Sequence, residues 1–246
     1  RFRDRRPIAT PARPADLPED AGARWKAALA AGKPLSEDEA LALMTAYGIP
    51  APARRTVGSA AELEQAARAL RFPVALKTAV PGILHKSDVG GVRLGLDDPE
   101  SLQVAYAEMA QRLGPQALIA EMAPAGTELA LGAIIDPQWG PVVMLAAGGV
   151  LIELLADRAV ALAPLQAEEA RSMIESLQIR KLLDGYRGRP AADLGSLVDS
   201  IVRLGWLATD LADVLSEIDV NPLIVGSQGT WAVDALVVPA RQSKGA

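Results

Sequence analysis

The 246 residues are half hydrophobic, carry a net charge of −5 and include no cysteine. That length and apolar content support a sizeable core in one large domain or two small ones. Disulfides and thiolate metal sites are excluded. The sequence has no secretory signal and no apolar run of about 18 residues, so no membrane partner is implied. The acidic balance argues against nucleic acid, and the absence of cysteine fits a reducing cytoplasm.

Residues 1–18 hold five arginines against two aspartates, with Pro7, Pro11, Pro14 and Pro18. Charge and proline without a hydrophobic period predict an arm or linker over 1–20. With Arg1 in place of methionine, the chain is expected to be a piece of a longer polypeptide.

Ser36 with Glu39, and Ser59 with Glu62, are capping-box patterns that start two helices. The first is predicted over about 37–47, with Leu41, Met44 and Tyr47 at helical spacing and a stop at Gly48. The second reaches about Leu70, ahead of Phe72-Pro73. A short apolar strand is predicted over 74–79. Asp98-Pro99 starts a helix closed by Gly114, and a strand follows at about 116–122. Beyond a boundary near 123–127, β-like runs are expected at Glu128–Ile135, Pro141–Ala146, Val150–Leu155 and Ala159–Leu162. Helices at about 167–177 and 193–212 precede a hairpin of 215–225 with 230–238. The class is α/β or α+β.

Residues 76–92 carry the densest chemistry. Lys77 lies in the predicted strand, and the turn-rich loop after it holds His85, the single histidine of the chain, with Lys86, Ser87, Asp88 and the pair Gly90-Gly91. Backbone amides freed by glycine, together with two ammonium groups, suit a polyphosphate. Lys77 taken alone reads more readily as an exposed strand lysine, and the loop shifts that balance towards phosphate. His85 reads either as a structural histidine or as a phosphoryl acceptor.

The hairpin offers a second constellation. A four-residue turn at 226–229 pairs Val225 with Thr230, and counting back sets Asn221 opposite Asp234. Asp219 shares that face by the period of two. Three converging oxygen side chains form a candidate Mg²⁺ site, and a solvated polar face is the alternative. Glu121 and Glu128 bracket the boundary. They read as acceptors for ribose hydroxyls or an adenine amino group, or as plain surface glutamates. Gly148-Gly149, followed by Glu153, is a weak signal of close approach.

Five words in order now carry a resemblance: Leu84-His-Lys-Ser-Asp-Val-Gly-Gly91, Tyr47-Gly-Ile-Pro50, Gly148-Gly149 with Glu153, Leu183-Asp-Gly-Tyr-Arg-Gly188 and Glu217-Ile-Asp-Val-Asn-Pro-Leu223. From about Leu35 to Val238 the chain resembles the ATP-grasp domain of ADP-forming acyl-CoA synthetases. These include acetate–CoA ligase and are relatives of the succinyl-CoA synthetase β subunit. The resemblance implies an ATP-grasp fold, with subdomains 21–123 and 124–240 clamping ATP or ADP and a tail at 241–246. It implies that Lys77 meets the phosphates and that the loop with Lys86, Ser87, Gly90 and Gly91 covers them. Glu121, with Met122 and Ala123, is expected at adenine and Glu128 at ribose. Asn221 and Asp234 match the family's Mg²⁺ ligands, and Asp219 stands at its acidic neighbour position. His85 matches a phosphohistidine position. The implied reaction converts acyl-CoA, ADP and phosphate to carboxylate, CoA and ATP. It needs a CoA-binding portion with a second phosphohistidine, fused or separate, in an oligomeric assembly. A regulatory ATP-grasp module fused to an acetyltransferase is the alternative. A ligase joining a carboxylate to an amine is a weaker one, since it needs no histidine.

Overall fold

A computed structural model describes residues 11–83, 86–149, 157–185, 188 and 190–240. The described elements run α1 (Ala23–Ala30), α2 (Glu37–Ala46), β1 (Arg54–Val57), α3 (Ala60–Ala69), β2 (Val74–Thr78), β3 (Val92–Leu96), α4 (Pro99–Leu113), β4 (Ala117–Glu121), β5 (Thr127–Asp136), β6 (Gly140–Ala147), β7 (Arg158–Leu162), α5 (Ala167–Ser176), α6 (Arg180–Leu183), α7 (Leu194–Asp210), β8 (Leu215–Gly226), β9 (Gly229–Ala232) and β10 (Ala235–Pro239).

The strands form two sheets with antiparallel pairing throughout the described residues, so the class is α+β. The smaller sheet has the order β1-β4-β2-β3. The larger has β10-β8-β5-β6-β7, with β9 also on β8.

Local signals set the helix ends. Ser36 accepts from the Glu39 amide while Glu39 accepts from the Ser36 amide, so the first capping box is complete. The second is half made, because Glu62 turns to the Gly58 amide at 2.6 Å. Asp98 caps α4, Pro99 takes its first turn, and Gly114 ends it at φ +112°, where a side chain would be strained. The strands β1 and β3 escape the sequence pattern. β1 is a four-residue stretch with one buried side chain, and β3 is an edge strand with no fully buried residue.

The packing units differ from the expected division at 123. The smaller core joins Leu63 of α3, Val74 and Leu76 of β2, Leu102, Tyr106 and Met109 of α4, and Ile119 of β4. Trp25 and Leu29 of α1 and Leu41, Leu43 and Met44 of α2 instead join the core of the larger sheet, with α5 and α7. The small lobe is therefore about 53–122, and the large lobe takes both flanks. An apolar helix face specifies burial, not which sheet buries it.

The described part of the expected arm packs on the large lobe. Leu17 is buried in the large core. The Arg13 guanidinium donates to both Asp210 oxygens at 3.0 and 2.7 Å, to the carbonyls of Leu17 and Pro18, and lies 5.1 Å above the Trp206 ring. Asp16 pairs with Arg203 at 2.8 Å. A strap needs no hydrophobic period when one leucine and a two-pronged ion pair anchor it. Residues 1–10, the expected strand at 150–155 and the tail 241–246 lie outside the described residues.

Candidate functional site

β2 is the second strand from one edge of the small sheet, and all five of its residues are buried. Val74 and Leu76 point into the small core, so by the period of two Ala75 and Lys77 face the other way, towards the large lobe. Lys77 is 5% exposed. Its Nζ donates to Glu37 Oε1 at 2.6 Å and to the Val233 carbonyl at 2.8 Å, and lies 3.7 Å from Asp234 Oδ2. Lys86 Nζ donates to the other Glu37 oxygen, Oε2, and stands 3.9 Å from Asp234 Oδ1. The two lysines expected at phosphate therefore converge on one point. Glu37, which brings them together, was not among the expected site residues.

The hairpin supplies the opposite wall. Val225 pairs with Thr230, Leu223 with Ala232, Val220 with Ala235 and Asp219 with Leu236, so one register runs through β9 and β10. Between them the Asn221 amide donates to the Asp234 carbonyl at 3.2 Å, and the Val233 amide donates to that of Pro222 at 3.1 Å. Asn221 thus stands opposite Asp234, as the count predicts. Pro222, which has no amide to donate to a ladder, coincides with a register shift against β5 between Leu129 and Leu131. The gap between β9 and β10 leaves the Val233 carbonyl for Lys77.

Burial, then Glu217 and Asp234, raises the Asp219 carboxyl above its ordinary value. Asp234 is also raised, by burial first, with Glu37 reinforcing the shift while Lys77 and Lys86 oppose it. Carboxylates held at such a cost favour a nearby cation. Among the described residues no group of three His, Cys, Asp or Glu could hold a metal ion. The donor set here is two carboxylates and the Asn221 amide. Those hard oxygens fit Mg²⁺, which uses one or two carboxylates and takes its remaining ligands from phosphates and water.

A cavity of about 390 Å³ opens between the sheets. Lys77, Glu121, Met122, Ala123 and Glu128 line it, with Leu182 and Ile224 among its apolar walls. Size and lining suit a planar base.

Three expected contacts change character. The Glu121 carboxylate accepts from the Arg71 amide at 3.0 Å and from its guanidinium at 3.1 and 2.8 Å, and this pairing holds its pKa down. The carboxylate expected at an adenine amino group is thus already engaged, and so are the Glu121 and Met122 amides, which donate to the carbonyls of Ala53 and Pro73 at 2.9 and 3.1 Å.

The amides expected to cradle phosphate are engaged too. Gly90 donates to the Ser87 carbonyl at 3.0 Å and Gly91 to that of Lys86 at 2.7 Å. A Cβ on Gly91 would lie 2.6 Å from Thr78 Cγ2, so this glycine lets the loop return against β2. Ser87 is exposed and contributes its carbonyl to that turn.

The double glycine acquires a reason. A Cβ on Gly148 would come 2.7 Å from the Glu128 carbonyl, and one on Gly149 2.6 Å from Glu128 Oε2. Both glycines make room for Glu128. His85, Glu153, Tyr186 and Arg187 lie outside the described residues.

Comparison with known proteins agrees with this architecture. A family described as the ATP-grasp domain matches residues 26–238. The chain is 35% identical over 219 residues to the β subunit of an ADP-forming acetate–CoA ligase I from Pyrococcus furiosus, covering 86% of this chain and 94% of that one. It is 37% identical over 203 residues to an ADP-forming 4-hydroxybutyrate–CoA ligase from Nitrosopumilus maritimus, covering 79% of this chain but only 29% of that ligase. The chain therefore spans under a third of that longer relative. A solved dinucleotide-forming acetyl-coenzyme A synthetase 1 from Ca. Korarchaeum cryptofilum superposes with a TM-score of 0.80 at 36% identity, over 89% of this chain and 100% of that one. That structure holds coenzyme A and Mg-AMPPCP, with a phosphohistidine segment pointing towards the nucleotide binding site. With two antiparallel sheets around a cavity and a match across nearly its whole length, the chain belongs to the ATP-grasp domain family, in the company of ADP-forming acetate–CoA ligase β subunits.

Proposed function

We propose that this chain binds ATP or ADP and transfers the phosphoryl group in an ADP-forming acyl-CoA synthetase. The observation that carries this reading is the meeting of Lys77 and Lys86 with Asp234 at the rim of an apolar cavity. Phosphoryl transfer requires positioning and charge neutralisation more than covalent help, and these residues are suited to both.

The adenine lies in the cavity against the backbone of Glu121, Met122 and Ala123, and Glu128 takes the ribose hydroxyls. Lys77 and Lys86 neutralise the phosphates from the small lobe. Asn221, Asp234 and Asp219 hold Mg²⁺ from the large lobe. When bound, Mg²⁺ spreads the charge of the phosphate oxygens.

His85 carries the phosphoryl group. In ATP synthesis its N–P bond breaks as a terminal oxygen of ADP forms the new O–P bond, and the imidazole regains its lone pair. A CoA-binding portion, fused or separate, delivers the phosphoryl group from a second phosphohistidine within an oligomeric assembly. The phosphohistidine segment of the Korarchaeum synthetase supports such a relay. The cytoplasm is the proposed compartment. No described helix is long and apolar enough to cross a membrane, and the chain has no cysteine.

Incubation with Mg·[γ-³²P]ATP is expected to label the chain in an acid-labile form, and His85→Ala to abolish the label while ATP still binds. Label persisting in that variant would remove His85 from the reaction.

A further inference from the structure

The two lysines share a partner that phosphate chemistry alone does not call for. Glu37 is the first helical residue of α2, and its side chain is 8% exposed. The three acids of that turn go separate ways. Glu39 closes the capping box on Ser36, Asp38 pairs with Arg54 at 2.7 Å, and Glu37 turns into the site. Each Glu37 oxygen takes one ammonium, Oε1 from Lys77 and Oε2 from Lys86.

The connection crosses the molecule. α2 packs in the core of the large sheet, whereas β2, which carries Lys77, belongs to the small sheet, and Lys86 follows β2 in the chain. The Val233 carbonyl that completes the Lys77 contacts also belongs to the large lobe. Two large-lobe acceptors thus fix the direction of a small-lobe lysine, and one of them fixes Lys86 as well.

A carboxylate beside two ammonium groups weakens their pull on an anion, so its presence needs a compensating gain. One reading is a place-holder that occupies the lysines until phosphate displaces it. Burial argues for the other. Lys77 and Glu37 are both nearly inaccessible, and separating such a pair strands a charge away from water. An ammonium has three protons, and Lys77 commits two of them, to Glu37 and Val233, which leaves one for a ligand. Long flexible stems otherwise wander, and a shared carboxylate sets both heads at one spacing.

We propose that Glu37 is a positioning residue that locks Lys77 and Lys86 into a single two-ammonium clamp for the polyphosphate of a nucleotide and ties that clamp to the large lobe. This rests on the nucleotide reading above, and the test separates the two. Dissociation constants for Mg·ATP and for adenosine are measured on the wild-type chain, Glu37→Gln, Lys86→Met and the double variant.

Glutamine keeps the shape but offers one acceptor oxygen. Mg·ATP affinity is expected to fall about tenfold with adenosine affinity unchanged, because the lost hydrogen bond aims a charged group. The fall should be smaller in the Lys86→Met background, where half of the clamp is already gone. Unchanged or tighter Mg·ATP binding by Glu37→Gln overturns the positioning role in favour of a place-holder or no role. An equal loss for adenosine also overturns it, because the defect is then in the whole cavity. If Glu37→Gln does not fold, Glu37→Asp takes its place with the same expectation, since its shorter reach cannot span both lysines. A wild-type chain that binds neither ligand would defeat the nucleotide reading itself.

Discussion

The hairpin edge of β8, β9 and β10 and the loop that follows β2 both bring charge beside Lys77, which lines the cavity, by opposite means. On the hairpin, pairing and a period of two determine which residues meet. Val225 opposite Thr230 leads step by step to Asn221 opposite Asp234. In the loop, the decisive contacts come from far along the chain. Lys86 is placed by Glu37, 49 positions away, and the glycine amides close on the loop itself. Geometry set by a ladder can be counted, whereas geometry set by a distant side chain has to be seen.

Substitutions on the two sides should differ in kind. The largest effect is expected on the hairpin. Asp234→Asn removes a charge that faces both lysines and is expected to slow phosphoryl labelling by about a hundredfold, as loss of one preorganised charge contact does. Labelling at the wild-type rate would show that the ladder carries scaffold rather than chemistry.

In the loop, the expected defect is in folding. Gly91→Ala forces a Cβ to 2.6 Å from Thr78 Cγ2 and 2.9 Å from the Lys86 carbonyl. It should cost about 1–3 kcal/mol in denaturant unfolding, the usual range for overpacking. No change in the midpoint would mean that the loop is not held against β2.

The smallest effect separates stability from function on the hairpin. Asp219 is raised by burial and by its acidic neighbours, so its carboxyl holds a proton more readily folded than unfolded. Without metal, its contribution to stability therefore falls as pH rises from the ordinary carboxylate range through the raised value. Asp219→Asn should flatten that decline and slightly raise the metal-free melting temperature at neutral pH, while weakening Mg·ATP binding. A variant that melts lower would place Asp219 in the scaffold.

The same contrast explains what could be read from the sequence. Caps at Ser36, Ser59 and Asp98, the buried β2 run and the hairpin register are local, and they stand where the pattern puts them. The assignment of α1 and α2 to the large lobe was not legible, because their apolar faces fit either core. Gly90 and Gly91 looked like free amide donors, although composition does not reveal which carbonyls take those amides. Glu37 carries no sequence signal beyond its place in a first helical turn, where acids favour the helix dipole. Only its approach to two lysines from another lobe sets it apart. Arg71, 89% exposed, likewise shows its hold on Glu121 only in three dimensions.

The meeting of Lys77 with Glu37, Val233 and Asp234 depends on Lys77 facing across the cleft to the hairpin rather than out to solvent. Calorimetric titration of Mg·ATP into Lys77→Met tests that placement most directly. Affinity is expected to fall at least about tenfold, since a charged hydrogen bond to phosphate is lost. Binding at wild-type affinity would contradict a phosphate site at the meeting of β2 and the hairpin.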